Sequence, residues 1–127
     1  MAQPRINLVV IRTSDLERSS LFYNLIGINF IKHRHGQGPE HLSADLEGTV
    51  FELYLLEPEQ PSTLSARVGF QVCSVVETVR ILQEKGHPIV SSPKDSPWGR
   101  RAVVSDPDGH RVELLEPVGK GKLLKEP

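Results

Sequence analysis

Apolar and polar positions follow the same order twice along this chain. The first half opens with a β-branched run that is apolar on both faces, which predicts a strand covered on both sides. A segment with apolar residues at helical spacing follows, and three more apolar stretches separated by turn residues complete the half. The second half repeats this order. The predicted strands cover residues 5–12, 28–34, 40–46 and 49–56, then 68–73, 87–92, 100–105 and 110–116.

Capping residues mark the ends of the two predicted helices. Ser14-Asp15-Leu16-Glu17 and Ser74-Val-Val-Glu77 both have the spacing of a capping box, which satisfies free backbone N–H groups where a helix begins. Gly27 and Gly86 stand where each helical pattern stops. The spacing therefore predicts helices near residues 15–26 and 75–85, and the order β-α-β-β-β in each half.

One short motif occurs in both halves at the same place in this order. Asp45-Leu-Glu-Gly48-Thr-Val-Phe-Glu52-Leu53 and Asp106-Pro-Asp-Gly109-His-Arg-Val-Glu113-Leu114 both read Asp-x-x-Gly-x-x-x-Glu-Leu. Each copy predicts a tight turn that leads into a strand with one carboxylate among apolar residues. A tandem duplication explains the repeat most simply. It divides the chain into module 1 (about 5–56), a polar proline-containing linker (57–65), module 2 (about 66–117) and a basic, flexible tail (118–127).

Composition narrows the classes of partner. The 127 residues suit a single domain, and the net charge of −1 from 15 basic and 16 acidic residues argues against a nucleic-acid partner. No apolar run approaches the roughly 18 residues of a membrane helix. The single cysteine, Cys73, excludes an intrachain disulfide and is predicted to lie buried in its strand. Together with an N-terminus that lacks a signal-peptide pattern, these features predict a cytoplasmic protein.

Several residues of these elements resemble one known superfamily. Asp15-Leu-Glu-Arg-Ser19, Phe22-Tyr23 shortly before Gly27, and Asp106-Pro-Asp-Gly-x-x-Val-Glu-Leu114 are similar to the vicinal oxygen chelate superfamily. It comprises glyoxalases, bleomycin-resistance proteins and extradiol dioxygenases. The resemblance covers residues 5–117. It implies an α+β fold in which tandem βαβββ modules form a curled, barrel-like mixed sheet with helices outside, and it implies a homodimer.

The resemblance also implies where a metal would bind. In the metal enzymes of the superfamily, the first and last strands of each module supply ligands, at positions that correspond to Leu8, Glu52, Arg67 and Glu113. Leu8 has no donor atom, and Arg67 carries a fixed positive charge. The alignment leaves open whether Arg67 or Val68 matches Leu8. In either case we expect no bound cofactor, and two carboxylates alone would hold a divalent cation such as Mg²⁺ weakly.

These positions favour a metal-independent small-molecule binding protein, with its ligand in the central sheet cavity. The expected lining residues are Leu8, Val10, His41, Tyr54 and Trp98, with Glu52, Arg67 and Glu113 as polar groups. Phe70 joins them only if Val68, rather than Arg67, faces inward. If Arg67 faces inward, its guanidinium would neutralise the facing carboxylates. Two alternatives stay open: a glyoxalase-type lyase, isomerase or dioxygenase with an incomplete or altered metal site, and a structural domain with a filled cavity.

The histidines provide a second candidate for metal chemistry. His33 and His35 share one face of a strand, and His41 lies across the predicted hairpin. Three imidazoles could bind Zn²⁺. Lys32 and Arg34 interleave them, however, and this pattern is more typical of a solvated hairpin tip. His87 and His110 follow glycines and are predicted to be exposed.

Overall fold

The computed structural model describes residues 2–118 and divides into two compact units that meet between Thr63 and Leu64. The first unit consists of β1 (Leu8–Thr13), α1 (Leu16–Ile26), β2 (Ile31–His33), β3 (His41–Leu46) and β4 (Thr49–Leu55). The second consists of β5 (Arg67–Gln71), α2 (Val75–Glu84), β6 (Ile89–Ser96), β7 (Gly99–Ser105) and β8 (Arg111–Pro117). The predicted βαβββ order and α+β class are confirmed in both units. The predicted tail falls almost wholly on residues 119–127, which lie outside the described residues.

The sheet of the first unit has the strand order β1-β4-β3-β2. β1 runs parallel to β4, and the other neighbours are antiparallel. α1 covers one face of this sheet, where the ring of Tyr23 packs edge-on 5.1 Å from that of Phe51. Ile11, Phe22 and Leu53 are buried there as well. Because side chains alternate along a strand, every second residue of β1 and β4 points to the opposite, open face.

The second unit repeats this arrangement with the order β5-β8-β7-β6, in which β5 runs parallel to β8. Val79 and Leu82 of α2 are buried, as are Val112 and Leu114 of β8. β6 continues to Ser96, beyond its predicted end, and its pairing with β7 shifts register twice. The second shift, between Ser91 and Lys94, spans Pro93, which has no N–H group and is tolerated in an edge strand.

The caps agree with the predicted helix positions, with one shift. The side chain of Ser74 caps α2, where it accepts a hydrogen bond from the N–H group of Glu77 at 3.1 Å. In α1 the cap is Asp15, whose side chain accepts from the N–H group of Arg18 at 3.0 Å. Ser14 instead accepts from the guanidinium of Arg18. Gly27 ends α1 with a φ of 113°, a left-handed conformation that favours glycine.

The prediction for Cys73 is wrong. β5 ends at Gln71, so Cys73 lies in the connection to α2, where its side chain is exposed. The apolar run that suggested a buried strand extends past the last residue that pairs with β8. Of the two helices in residues 2–118, neither is long and apolar enough to cross a membrane.

Candidate functional site

The open face of the first unit carries most of the candidate residues of module 1. Val10 is the neighbour of Glu52 in the parallel pair of β1 and β4, and Arg12 is the neighbour of Tyr54. Leu8 precedes Val10 by two residues and therefore points to the same face. Leu8 is 51% exposed and Val10 is 37% exposed. The exposed apolar side chains of Leu8 and Val10 thus share this face with the carboxylate of Glu52 and the phenol ring of Tyr54.

His41 reaches this face from β3. Ser43 pairs with Glu52, so His41, two residues earlier, lies on the same side of the sheet. Its side chain is only 1% exposed. The imidazole stacks on the ring of Tyr54, with the centroids 4.3 Å apart and an angle of 7° between the planes. The guanidinium carbon of Arg12 lies 5.3 Å from the same Tyr54 centroid, so three π-systems gather on this face.

The two nitrogens of His41 have different surroundings. Nδ1 is 3.3 Å from the backbone oxygen of Pro39. Nε2 is 3.3 Å from Oε2 of Glu52, but the atoms are not aligned for a hydrogen bond. Within residues 2–118, Nε2 is therefore a buried polar atom without a hydrogen-bond partner.

His33 and His35 lie beside His41, as expected from the predicted hairpin. Their ring centroids are 6.0 Å and 5.2 Å from that of His41, and both side chains are exposed. Donor atoms of His35, His41 and Glu52 all lie within 4.8 Å of one another. The solvated hairpin tip and the imidazole cluster, which the sequence presented as alternatives, are therefore both present in this unit.

Strand register in the second unit decides between Arg67 and Val68. Gly69 pairs with Glu113, and a Cβ atom added to Gly69 would lie 3.5 Å from Cβ of Glu113. Arg67, two residues before Gly69, shares this open face. Val68 and Phe70 pair with Val112 and Leu114, which are buried on the side of α2. Phe70 therefore lies on the side of α2 and not on the face that carries Arg67 and Glu113.

The partner of Glu113 is a residue that the sequence analysis missed. Arg101 on β7 donates a hydrogen bond from its guanidinium to the Glu113 carboxylate. Arg101 pairs with Leu115, which places it diagonally across from Glu113 on the same face. Arg67 is exposed and forms no ion pair with any residue between 2 and 118. A guanidinium does neutralise this carboxylate, but it comes from β7 and not from β5.

A groove of about 320 Å³ lies next to this ion pair. Its lining residues are Trp98, Arg101, Glu113 and Leu115. Trp98 stands in the turn between β6 and β7 and is 38% exposed. The groove combines an indole, an aliphatic side chain and a charged pair, which together can hold the apolar body and a polar group of a small molecule.

The Asp-Pro-Asp-Gly turn forms a separate buried cluster with a structural role. Oδ1 of Asp106 accepts hydrogen bonds from the N–H groups of Asp108, Gly109 and His110, at 2.9–3.1 Å. Its Oδ2 is 2.9 Å from Nδ1 of His110. His110 is fully buried, so the prediction that it is exposed is wrong. The exposed Asp45 of the first copy accepts the N–H group of Gly48 at 2.9 Å.

Comparison with known proteins finds relatives for nearly the whole chain. The sequence profile of the Glyoxalase/Bleomycin resistance protein/Dioxygenase superfamily matches residues 5–114. The chain is similar to the structure of TnmS3, an antibiotic binding protein from Streptomyces sp. CB03234, with 30% identity and a TM-score of 0.75. That match covers 93% of this chain and 99% of TnmS3.

Two protein sequences are also similar. An uncharacterized protein of Mycolicibacterium smegmatis is 29% identical over 119 residues, 93% of this chain and 98% of that protein. A probable chloroplastic lactoylglutathione lyase of Arabidopsis thaliana is 27% identical over 122 residues. The match covers 85% of this chain but only 34% of the plant protein, so the chain spans about a third of that relative.

Proposed function

Since this chain belongs to the Glyoxalase/Bleomycin resistance protein/Dioxygenase superfamily, we propose that it is a small-molecule binding protein. Its ligand is an organic molecule with an aromatic or apolar body, held on the open face of the sheet in the second unit. It needs no metal ion at the positions that the metal enzymes of the superfamily use. The observation that carries this proposal is the groove of Trp98, Arg101, Glu113 and Leu115.

The residues at the superfamily's metal positions support a metal-independent mode. In the first unit, Leu8 has a hydrocarbon side chain at a position where the metal enzymes have a metal-binding residue. In the second, Arg67 offers a cation, and Glu113 is already bound to the guanidinium of Arg101. A metal ion at Glu113 would have to displace a charge-assisted hydrogen bond and approach two arginines. Leu8, Arg67 and Glu113 therefore do not suit a metal ion, and the proposed binding uses none at these positions.

The chemistry of the open faces supports the class of ligand. Pockets for small molecules are mostly apolar and aromatic, with a few polar groups that orient the ligand. Leu8, Val10 and Tyr54 provide such a surface in the first unit, and Trp98 and Leu115 provide it in the second. The ion pair of Arg101 and Glu113 can donate to an oxygen or accept from a hydroxyl. The similarity to TnmS3, an antibiotic binding protein, supports the same class.

We further propose that the protein is a homodimer in the cytoplasm. Each four-stranded sheet ends in edge strands, and an edge strand favours pairing or cover by another chain. The free, exposed thiol of Cys73 suits a reducing compartment.

Binding can be measured through Trp98, because the chain has one tryptophan and it lines the groove. We expect aromatic antibiotics from a screening panel to change its fluorescence with saturation at one ligand per chain. Arg101→Gln should weaken the affinity of the best compound about tenfold, the loss of one charged hydrogen bond of about 1.5 kcal/mol.

Arg100→Gln is the matched control. Arg100 is adjacent on β7, and its side chain binds Asp95 at 3.0 Å. Its replacement removes the same charge but should leave the affinity unchanged. Equal weakening by both substitutions would show a general effect of charge, and no saturable signal across the panel would contradict the proposal. Isothermal titration calorimetry of the same variants excludes simple quenching of the indole.

A further inference from the structure

We propose that His35, His41 and Glu52 form a binding site for a divalent transition metal ion of the Zn²⁺, Co²⁺ or Ni²⁺ type. This site lies in the first unit and uses two histidines from β3 and the hairpin loop before it. It shares only Glu52 with the positions that carry metal in the superfamily's enzymes, and none of its residues lines the proposed ligand groove, which lies in the second unit.

His41 is held in the tautomer that leaves a nitrogen lone pair directed towards Glu52. The backbone oxygen of Pro39 can only accept, so Nδ1, 3.3 Å away, carries the hydrogen. In a neutral imidazole the other nitrogen, Nε2, then has a lone pair and no hydrogen. This atom is buried, 3.3 Å from a carboxylate oxygen, and without a hydrogen-bond partner in residues 2–118.

A lone pair facing a carboxylate is repulsive, and a cation between the two atoms removes the repulsion. Histidines that bind metals almost always donate their other ring N–H to a backbone carbonyl, a carboxylate or water. His41 has this arrangement with Pro39. Its stacking on Tyr54 fixes the ring plane as well, with 7° between the two rings. The side chain is thus oriented before any ion arrives.

The electrostatic surroundings distinguish Glu52 from its counterpart in the second unit. Glu113 is neutralised by the guanidinium of Arg101. Among the described residues, Glu52 has no lysine or arginine partner. The nearby guanidinium of Arg12 instead donates to the backbone oxygen of Leu55 at 3.2 Å. The Glu52 side chain is only 13% exposed, so its charge is poorly solvated and would favour a cation.

His35 completes a three-ligand set. The donor atoms of the three residues lie within 4.8 Å of one another. Ligand bonds of about 2.0–2.2 Å place such atoms roughly 3–4 Å apart, so the exposed His35 must approach by only about 1 Å. It stands in the loop between β2 and β3, where a change of side-chain rotamer suffices. Two imidazoles and one carboxylate favour Zn²⁺, Co²⁺ or Ni²⁺ over Mg²⁺ or Ca²⁺.

The test is a calorimetric titration of the full chain with Zn²⁺ alone, after treatment with a chelator and dialysis. We expect one ion per chain. His35→Gln and Glu52→Gln should each weaken the affinity at least about tenfold, since each removes a ligand. His87→Gln is the control, because His87 lies in the second unit, and it should bind as the natural chain does. Wild-type affinity in both His35→Gln and Glu52→Gln would overturn the proposal.

A second measurement distinguishes this site from binding at the exposed histidines alone. Two-bond ¹H–¹⁵N spectra of the imidazoles report each ring nitrogen. Zn²⁺ should shift Nε2 of His41 and leave Nδ1 protonated. An unchanged His41 with shifts confined to His33 and His35 would overturn the proposal. Circular dichroism of each variant confirms that it is folded. The test does not use His41→Gln, because the buried ring of His41 packs on Tyr54 and its loss could disturb the fold. Failure here would leave the Trp98 assay unaffected.

Discussion

Replacing Asp106 with alanine should destabilise the second unit far more than replacing Asp45 destabilises the first. The two residues occupy equivalent positions in the repeated motif, but their surroundings differ. Asp106 is 3% exposed, and its carboxylate accepts hydrogen bonds from three backbone N–H groups and from the His110 ring. Asp45 is exposed and accepts the N–H group of Gly48. The duplication therefore supplies its own matched control.

The magnitude follows from the groups that Asp106→Ala deprives of an acceptor. The N–H group of Gly109 also donates to the Asp106 backbone oxygen at 3.0 Å, so it retains a partner. The N–H group of Asp108 is partly buried and can turn to water. The buried N–H group and the imidazole of His110 lose the Asp106 carboxylate, and each loss costs about 1–3 kcal/mol. We expect about 3–5 kcal/mol in total for Asp106→Ala, against less than about 1 kcal/mol for Asp45→Ala.

Urea denaturation followed by circular dichroism measures this difference, because the signal comes from the helices and strands of both units; the fluorescence of Trp98 reports separately on the unit that contains Asp106. Asp106→Asn retains an oxygen for the backbone N–H groups and should fall between the natural chain and Asp106→Ala. If Asp106→Ala and Asp45→Ala shift the unfolding free energy equally, the assigned role of the buried turn is wrong.

Three further predictions concern backbone, pH and assembly. Gly99→Ala should lower the free energy of unfolding by about 3 kcal/mol or more, because Gly99 has a φ of 138° and an added Cβ would collide with the backbone of Glu116 and Pro117. At Gly69 an added Cβ meets only ordinary contacts, so Gly69→Ala should cost less than about 1 kcal/mol in the same urea assay. Burial lowers the pKa of His87 below its ordinary value of 6.5, so the unfolded chain takes up this proton more readily and stability falls as the pH drops through that value; His87→Gln should reduce the loss of unfolding free energy between pH 8 and pH 5, and an unchanged pH profile would refute this assignment. Analytical ultracentrifugation should give a dimer of the 14.2 kDa chain at micromolar concentration, and a monomer would contradict the proposed assembly.

The helices, the strands and the residues on each open face could be predicted from the sequence, because they depend on local periodicity. Alternation along β4 and β8 is enough to place Glu52 and Glu113 on faces opposite the apolar side chains that the helices bury. The partner of Glu113 could not be found in this way. Arg101 reaches it diagonally across an antiparallel pair, and that contact depends on the register of β7 against β8.

The errors at single residues have equally physical causes. A histidine after Gly109 was expected in solvent because turns are polar, whereas the Asp106 carboxylate satisfies its ring and allows it to be fully buried. The length of β6 depended on register shifts around Pro93, which no local pattern specifies. The position of His41 beside Glu52 depends on the register of β3 against β4, and the pairing of His33 with His41 depends on that of β2 against β3.

The parallel pairing of β1 with β4 has a consequence for folding during synthesis. The first strand of each unit has its place beside the last strand of that unit, so the sheet cannot close until nearly the whole unit has left the ribosome. The β3–β4 and β7–β8 hairpins are local and can form early, whereas the pairs between Leu8 and Val50 and between Arg67 and Arg111 close long loops and should form late. Folding should therefore proceed in two similar steps, one after Leu55 and one after Pro117 emerges. Each step ends by joining the first strand to the strand that carries Glu52 or Glu113, so the open face of each unit is completed last.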